Sequence, residues 1–547
     1  MINSSHKLNG GFRAELLAVL VLFSIALVSL LGILSEFSKK YSVEIPAPGG
    51  TLREGAIGAP RFINPLLAQT DADRDLVSLV YTGLFRYDES GELKPALAEK
   101  YEISKDGLEY TVTLKENLLW QDGKELTADD ILFTIQHAKN PQLMSPKRPN
   151  WEGVEISQID KKTVKFILRK PYVPFLENLT LGIMPKHLWE KISANQFSLA
   201  KLNIEPVGAG PYKLSSLKKD ALGTITSAKL TKNKYFVLGS PNIKNMELRF
   251  YSDEKTAVSD LKSGFLDSMG ALSPKYIEEL KNDQNIQIKS LELQRIIAIF
   301  LNQNAKKDFA KLDNRKALSV AIDRKDLLNK ILNGYGEPIT GPLPESLIKD
   351  EGKEPAFDPE FAKSLLSKQK TPMSFSLTTA NTPELIETAK LLKKMWETVG
   401  VKIDIKSFEV NDLESLVIGP RRYDAFLYGQ EVVGQNPDPF AFWHSSQRSY
   451  PGYNIALYAN SKIDKLLETV RQEQDPEKRI EDYKNIQKEI SADLPAIFLF
   501  SPSYVYILPA NIGGVAISKI NTSSDRFASV HKWYLERQYI WKFLANK

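Results

Sequence analysis

The chain has 547 residues, 42% of them apolar and 10% aromatic, which supplies several packed cores and excludes wholesale disorder; at ~150 residues per domain, roughly three or four compact units fit. Lys and Arg number 72 against 67 Asp and Glu, and a net charge of +5 over this length is too weak to argue for nucleic acid as a partner. No cysteine is present, which excludes disulfides, zinc ribbons, thiol nucleophiles and Cys-ligated clusters, and His6, His137, His187, His444 and His531 are too scattered to form a metal motif.

The first feature along the chain is Leu16 to Leu34, nineteen residues without a charge. As a helix it would span ~28 Å, close to the ~30 Å hydrocarbon core of a bilayer. The run is longer than a signal-peptide core, no small-residue cleavage site is evident around Leu34-Ser35-Glu36-Phe37, and a lipoprotein would need a cysteine. The expectation is an uncleaved transmembrane signal-anchor over 16–35 behind a cytoplasmic 1–15; a cleaved signal and a buried soluble helix are the competing readings. Lys7 and Arg13 before the span nearly balance Lys39 and Lys40 after it, so charge does not orient it. Residues 36–50, with Pro46, Pro48, Gly49 and Gly50, read as a tether to the globule.

From Thr51 onward, helix and strand patterns interleave, so the fold class is α/β. Asp71-Ala72-Asp73-Arg74-Asp75 reads as a helix start or a solvated face. In Glu109–Leu114, Tyr110, Val112 and Leu114 share one face of a strand, and Val164–Leu168 is a second strand. Between them, Thr127-Ala128-Asp129-Asp130 has the form of a capping box, with the acids complementing a helix N-terminus. Asn314 to Leu328 predicts two abutting helices whose basic residues occupy an exposed face. The best-defined unit begins with a strand at Phe375 and Leu377. Thr382 is then an N-cap and Pro383 the first helical residue, followed by an apolar stripe of Leu385, Ala389, Leu392, Trp396 and Val399. Gly400 closes that helix, and Val401, Ile403 and Ile405 alternate in a second strand, completing a right-handed βαβ unit. Tyr423–Tyr428 reads as a buried strand running into a Gly/Asn/Pro/Asp loop at 429–439 and then Phe440-Ala441-Phe442-Trp443-His444. A loop of this kind at a strand end is where an open α/β sheet places a ligand; a rigid turn with Trp443 as core filler is the competing reading.

No phosphate-cradling Gly-x-x-x-x-Gly-Lys-Ser/Thr loop, Gly-x-Ser-x-Gly elbow or His-Glu-x-x-His pair occurs. The expectation is therefore no enzyme, no cofactor and no metal.

Several segments, in order, resemble the family 5 extracellular solute-binding proteins, the peptide- and nickel-binding receptors of ABC importers. They are Gly49-Gly50-Thr51-Leu52, Ile63-Asn64-Pro65, Tyr81-Thr82-Gly83-Leu84-Phe85, Pro95-Ala96-Leu97-Ala98-Glu99 and Trp120-Gln121-Asp122-Gly123 with Leu126–Asp130. Further on come Pro206–Tyr212, Leu261–Asp267, Ala321-Ile322-Asp323-Arg324, and Asp438-Pro439 with Phe442–Ser446. Each is weak alone; their order from about Gly49 to about Pro509 carries the resemblance.

The resemblance implies a two-lobed, type II periplasmic-binding-protein-like fold with an extra subdomain, closing on a ligand by hinge motion. Lobe I would comprise 51–80, 205–285 and 498–547, the extra subdomain 81–204, and lobe II 286–497. The implied ligand-facing residues are Asn64 from one side and Gly429, Glu431, Gly434, Gln435, Asn436, Asp438 and Trp443 from the late loop. Phe500 and Tyr504 have two readings, cleft lining and core packing. If Trp443 binds ligand, Trp443→Ala should weaken binding far more than it lowers stability. Peptide receptors of this family commonly carry an Asp that pairs with the ligand's α-amine. Anchored on Asp438-Pro439, that place falls on Gln435, and losing the charge would forfeit ~1.5–3 kcal/mol; Glu431 is the substitute if the loop folds back. The implied function is capture of a peptide or related solute and delivery to ABC importer permease subunits, by a monomeric globule on the extracytoplasmic side of the cell membrane, held by a single-pass anchor. A surface sensor or assembly protein signalling through a membrane partner is the alternative.

Overall fold

The computed structural model describes residues 10–348, 356–368, 371–432, 434 and 436–541. The apolar N-terminal run lies in one helix, Gly10–Tyr41, whose described side chains are exposed. Among the described residues no helix is long and apolar enough to cross a membrane; the side chains of Val28 and of 31–40 lie outside them, so Leu16–Leu34 is described only in part. The expected tether over 36–50 is corrected. Tyr41 leads directly into a strand, Ser42–Ala47, paired antiparallel with the C-terminal strand Glu536–Trp541. Val43 and Ile45 supply the strand character, and a two-stranded edge tolerates the N–H that Pro46 lacks.

Two large sheets define two lobes. The first has eight strands in the order Lys519–Ile520, Ile286–Leu293, Tyr504–Pro509, Ser268–Gly270, Gly49–Ile57, Ile243–Tyr251, Ile225–Lys232 and Tyr212–Lys219. The second has six: Gly336–Pro338, Ala496–Pro502, Arg295–Leu301, Ala425–Glu431, Ser374–Ala380 and Lys402–Phe408. The predicted βαβ unit is present, with Ser374–Ala380 parallel to Lys402–Phe408 across the helix Pro383–Thr398. Trp396 is buried there and its indole N–H donates to the Leu318 carbonyl at 2.9 Å.

The chain crosses between the sheets twice, at Gln294 and at Ser503, where a strand of one sheet is followed almost at once by a strand of the other. The lobes therefore divide at these residues and not at 286 and 498. The first crossing, in Leu293-Gln294-Arg295, carries no Gly, Pro, Asn, Asp or Ser, so local sequence does not mark it; Ser501-Pro502-Ser503 breaks the second.

A four-stranded sheet, Ala98–Ile103, Glu109–Leu114, Thr163–Ile167 and Glu155–Gln158, forms the extra subdomain with the helix Ala128–Lys139. Thr127 caps that helix as the motif requires, its N–H donating to Asp130 Oδ2 at 2.9 Å. The subdomain meets lobe I where two of the motifs converge on the end of the helix Asp71–Val80. Gln121 donates to the carbonyls of Val80 and Tyr212 at 3.1 and 2.8 Å and accepts from Gly208 N–H at 3.0 Å. A Cβ on Gly208 would lie 2.0 Å from the Val80 carbonyl oxygen, so only glycine lets the two backbones approach.

One expectation about charge is corrected, and the acidic run resolves between its two readings: a helix does start at Asp71, and its next two acids are not on a solvated face. Arg315 and Arg324, assigned to an exposed face, are buried, and their guanidinium groups donate to the carbonyls of Asp493 and Phe309 and of Phe498 and Ser319. Asp73 and Asp75 are also buried: Asp73 completes a capping box with Thr70, and Asp75 pairs with Arg526. Backbone carbonyls at helix and strand ends satisfy buried guanidinium groups as well as water does, and residue type alone does not reveal this.

Candidate functional site

A cavity of about 640 Å³ lies between the lobes, within the range of roughly 300–1,000 Å³ that accommodates small-molecule ligands. Lobe I supplies Arg74 and Asp525, the extra subdomain Arg86, Tyr87, Lys147, Tyr172 and Glu177, and lobe II Glu431, Asn436, Asp438 and Phe442.

The late loop of lobe II reaches this cavity, as the strand-end argument anticipates. Gly434 sits at φ +89°, a backbone conformation that disfavours a side chain, and a Cβ there would lie 2.7 Å from Glu177 Cδ on the opposite wall. Its N–H donates to Asn521 Oδ1 of lobe I at 3.2 Å. Glu431 lines the cavity, but its carboxylate already accepts from Arg295 at 2.7 Å. Burial tends to lower the Arg295 pKa, and the Glu431 charge and hydrogen bond outweigh it. Gln435 lies outside the described residues.

Asp438 closes a contact between the lobes. Its Oδ2 accepts from the Tyr172 hydroxyl at 3.1 Å and pairs with Arg471 at 3.0 Å, and its Oδ1 accepts from Phe440 N–H at 3.2 Å. The Arg471 guanidinium lies 4.9 Å from the Tyr172 ring centroid and 4.3 Å from that of Phe440, while its carbonyl accepts from Val173 N–H at 2.8 Å. A hydrogen bond to a charged acceptor contributes ~1.5–3 kcal/mol. Tyr172→Phe should therefore shift the ligand-free protein toward an open form in small-angle scattering and weaken solute binding roughly tenfold. Unchanged scattering and affinity would show that this contact does not hold the lobes together.

The other anticipated residues are placed differently. Asn64 is fully buried away from the cavity; its amide donates to Asn203 Oδ1 and its carbonyl oxygen accepts from Leu66 N–H, both at 2.8 Å, so it shapes its own loop. Trp443 is fully buried against Phe300 and Phe498 in the lobe II core. Phe500 is buried in the strand Ala496–Pro502, and Gly429 lies within Ala425–Glu431 on the far side of Arg295–Leu301 in the same sheet. Tyr504 is buried with its hydroxyl over Gly270, where a Cβ would lie 1.9 Å away. In each aromatic case core packing wins, because apolar bulk at a strand or helix position facing another layer is buried by default.

Sequence reasoning passed over the opposite wall. Tyr172 and Glu177 come from the extra subdomain; a tyrosine pinned between Pro171 and Pro174 is the one legible signal there. The Tyr87 hydroxyl donates to Glu177, and burial followed by the Glu177 charge raises the Tyr87 pKa. Asp525 is partly buried, and desolvation raises its carboxyl to about 6 against the opposing N–H groups of Thr522 and Asn521. Burial, then the nearby Arg86 and Lys532 cations, hold His531 down at about 4. Among the described residues no cluster of three or more His, Asp or Glu side chains could hold a metal ion.

Known proteins share this architecture. The chain is 26% identical to the oligopeptide-binding protein AppA of Bacillus subtilis, over 95% of this chain and 98% of that protein. Its fold matches the crystal structure of the ABC transporter substrate-binding protein CtaP of Listeria monocytogenes with a TM-score of 0.80 and 27% identity, covering 89% of this chain and 100% of that one. NikZ of Campylobacter jejuni, crystallised with Ni(L-His), matches with a TM-score of 0.74 and 27% identity over 88% of this chain and 99% of that one. The family model for bacterial extracellular solute-binding proteins, family 5, matches residues 92–454, which include the extra subdomain, the first lobe crossing and the late loop. The chain belongs to that family.

Proposed function

We propose that this protein captures a short peptide or a related solute between its lobes and delivers it to the permease of an ABC importer, with Leu16–Leu34 holding it at the extracytoplasmic face of the membrane. The observation that carries the reading is a cavity walled by both lobes, between which the chain crosses at Gln294 and at Ser503. A two-strand connection permits hinge closure, and groups from both sides can then surround the solute. The oligopeptide-binding name of the Bacillus subtilis relative supports a peptide as the solute.

With Glu431 engaged by Arg295, the ligand's α-amine is assigned to Glu177. This carboxylate faces Gly434 and accepts from the Tyr87 hydroxyl, and an ionised carboxylate offers about four lone-pair sites. The test is native mass spectrometry of the gently purified full chain in detergent, followed by denaturation and identification of what is released. A heterogeneous set of short peptides is the expected outcome. A single non-peptide solute would overturn the peptide reading and leave the family intact.

A further inference from the structure

Of the seven tryptophans, six are sealed inside the globule: Trp120, Trp151, Trp189, Trp396, Trp443 and Trp533 are each at most 1% exposed. Trp541 is 40% exposed. It stands on the two-stranded ribbon of Ser42–Ala47 and Glu536–Trp541, directly across from Ser42. Tyr539, on the same face of that strand, is 68% exposed, and Tyr41 and Val43 at the start of the facing strand are exposed as well. Among the described residues no side chain of this ribbon belongs to the core of either lobe or of the extra subdomain. Two strands with both faces in water are marginal by themselves, and apolar bulk left outside every core marks a contact surface.

The ribbon is nevertheless fixed to lobe I. At its base Gly513 N–H donates to the Tyr534 carbonyl at 2.8 Å and Tyr534 N–H to the Gly513 carbonyl at 3.0 Å. The Arg537 guanidinium donates to the Asn511 carbonyl at 3.0 Å and pairs with Glu44 at 3.0 Å, and the Tyr539 hydroxyl donates to Glu44 at 3.2 Å. Trp541 is therefore carried at the far end of a braced arm.

Chain continuity says what lies at that end. The helix Gly10–Tyr41 has 32 residues and a length of ~48 Å. A bilayer with its headgroups is ~40–45 Å thick, and a typical tilt of ~20° shortens the span of this helix to about 45 Å. With Leu16–Leu34 in the hydrocarbon, Tyr41 reaches the outer headgroup layer, and strand pairing sets Trp541 at the level of Ser42. Trp and Tyr suit that level because the ring is apolar while its N–H or O–H stays hydrated. In sequence Lys39 and Lys40 precede Tyr41 and Lys542 follows Trp541, so cations flank the aromatic residues on both strands, which complements anionic headgroups.

We propose that the ribbon is a membrane-contact element: Trp541 and Tyr539 seat in the headgroup layer and hold lobe I at a fixed height and orientation above the bilayer. The assignment rests on the membrane reading of Leu16–Leu34 above. It adds a second contact, made by a segment far from the helix in sequence, which replaces a loose tether by a braced one.

The test reconstitutes the full chain into vesicles of phosphatidylcholine and phosphatidylglycerol that carry a nitroxide quencher either on the choline headgroup or deep in the acyl chain. Because the other tryptophans are sealed, the difference in emission between wild type and Trp541→Phe reports Trp541 alone, with equal melting temperatures as the control for folding. The headgroup nitroxide is expected to lower this difference emission at least twofold and the deep nitroxide scarcely at all. Flotation of the vesicles after an alkaline carbonate wash reports the anchor separately. A chain that floats while Trp541 is quenched by aqueous iodide and not by the headgroup nitroxide overturns the seating of the ribbon and leaves the anchor standing. A Trp541 shielded from both quenchers is covered by protein, which overturns the lipid assignment in favour of a second copy. Stronger quenching by the deep nitroxide overturns the headgroup placement. A chain that does not float with the vesicles removes the membrane reading of Leu16–Leu34 and this assignment together.

Discussion

Replacing Arg526 by methionine is expected to destabilise lobe I by roughly 3–5 kcal/mol, the usual cost of removing one partner from a buried charge network. The Arg526 guanidinium donates to both oxygens of Asp75 at 2.7 and 2.6 Å and to Glu54 at 2.9 Å. The second Glu54 oxygen accepts from the Tyr506 hydroxyl at 3.0 Å and from Ser268. All three charged side chains are almost wholly buried, and they join the helix Asp71–Val80, the strand Gly49–Ile57 and the C-terminal segment. Two carboxylates facing one guanidinium leave an excess negative charge. Burial accordingly raises the pKa of Glu54 and of Asp75, while Arg526 pulls both back down.

The sign of the pH effect follows from those directions. An acid whose folded pKa lies above its unfolded value binds protons preferentially in the folded state. Its contribution is therefore present below the ordinary carboxylate range and is lost as pH rises through the folded pKa. Without Arg526 that loss should steepen, so the variant should be closest to wild type near pH 5 and furthest from it near pH 8. Calorimetric melting at both pH values is the measurement, with a drop of roughly 10 °C expected at the higher one. An equal, small shift at both would mean that the cluster does not hold lobe I together. The neighbouring Ser524, Asp525 and Phe527 line the cavity, so solute binding should fall with stability.

Trp443→Ala should cost ~3–5 kcal/mol by leaving a cavity in the lobe II core, while Phe442→Ala, at a side chain half-buried on the edge of that core, should lower the melting temperature less and weaken solute binding roughly tenfold or more. The two residues are adjacent on the short helix Phe440–Trp443, and successive helical positions point about a quarter-turn apart. Trp443 is accordingly turned into the core against Phe300 and Phe498, and Phe442 is turned to the cavity. Paired calorimetry, one scan for melting and one titration with solute for each variant, separates the roles. Trp443→Ala with unchanged melting and lost affinity would return the indole to the binding site.

Elements set by local interactions were legible in advance. The capping box at Thr127, the Thr382-Pro383 helix start, the Gly400 stop at φ +84° and the alternation in Glu109–Leu114 all appear where residue spacing places them. Each depends on hydrogen bonds or side-chain periodicity within a few residues. Of the late-loop residues, Glu431, Asn436 and Asp438 line the cavity.

Other placements depend on contacts between segments far apart in sequence. Asn64 meets Asn203, Asp75 meets Arg526, and Tyr172 meets Asp438; no spacing rule connects such pairs. Whether an aromatic residue at the end of a strand faces solute or core depends on which layer lies above it, so Phe500 and Tyr504 could not be assigned before the sheets were assembled. The amino-acid sequence by itself determined the α/β class, the local helix and strand starts, and the family, because these rest on short-range geometry and ordered motifs. Only the tertiary structure decided where the lobes divide and which charges are already paired, because a counter-charge is a property of position in space.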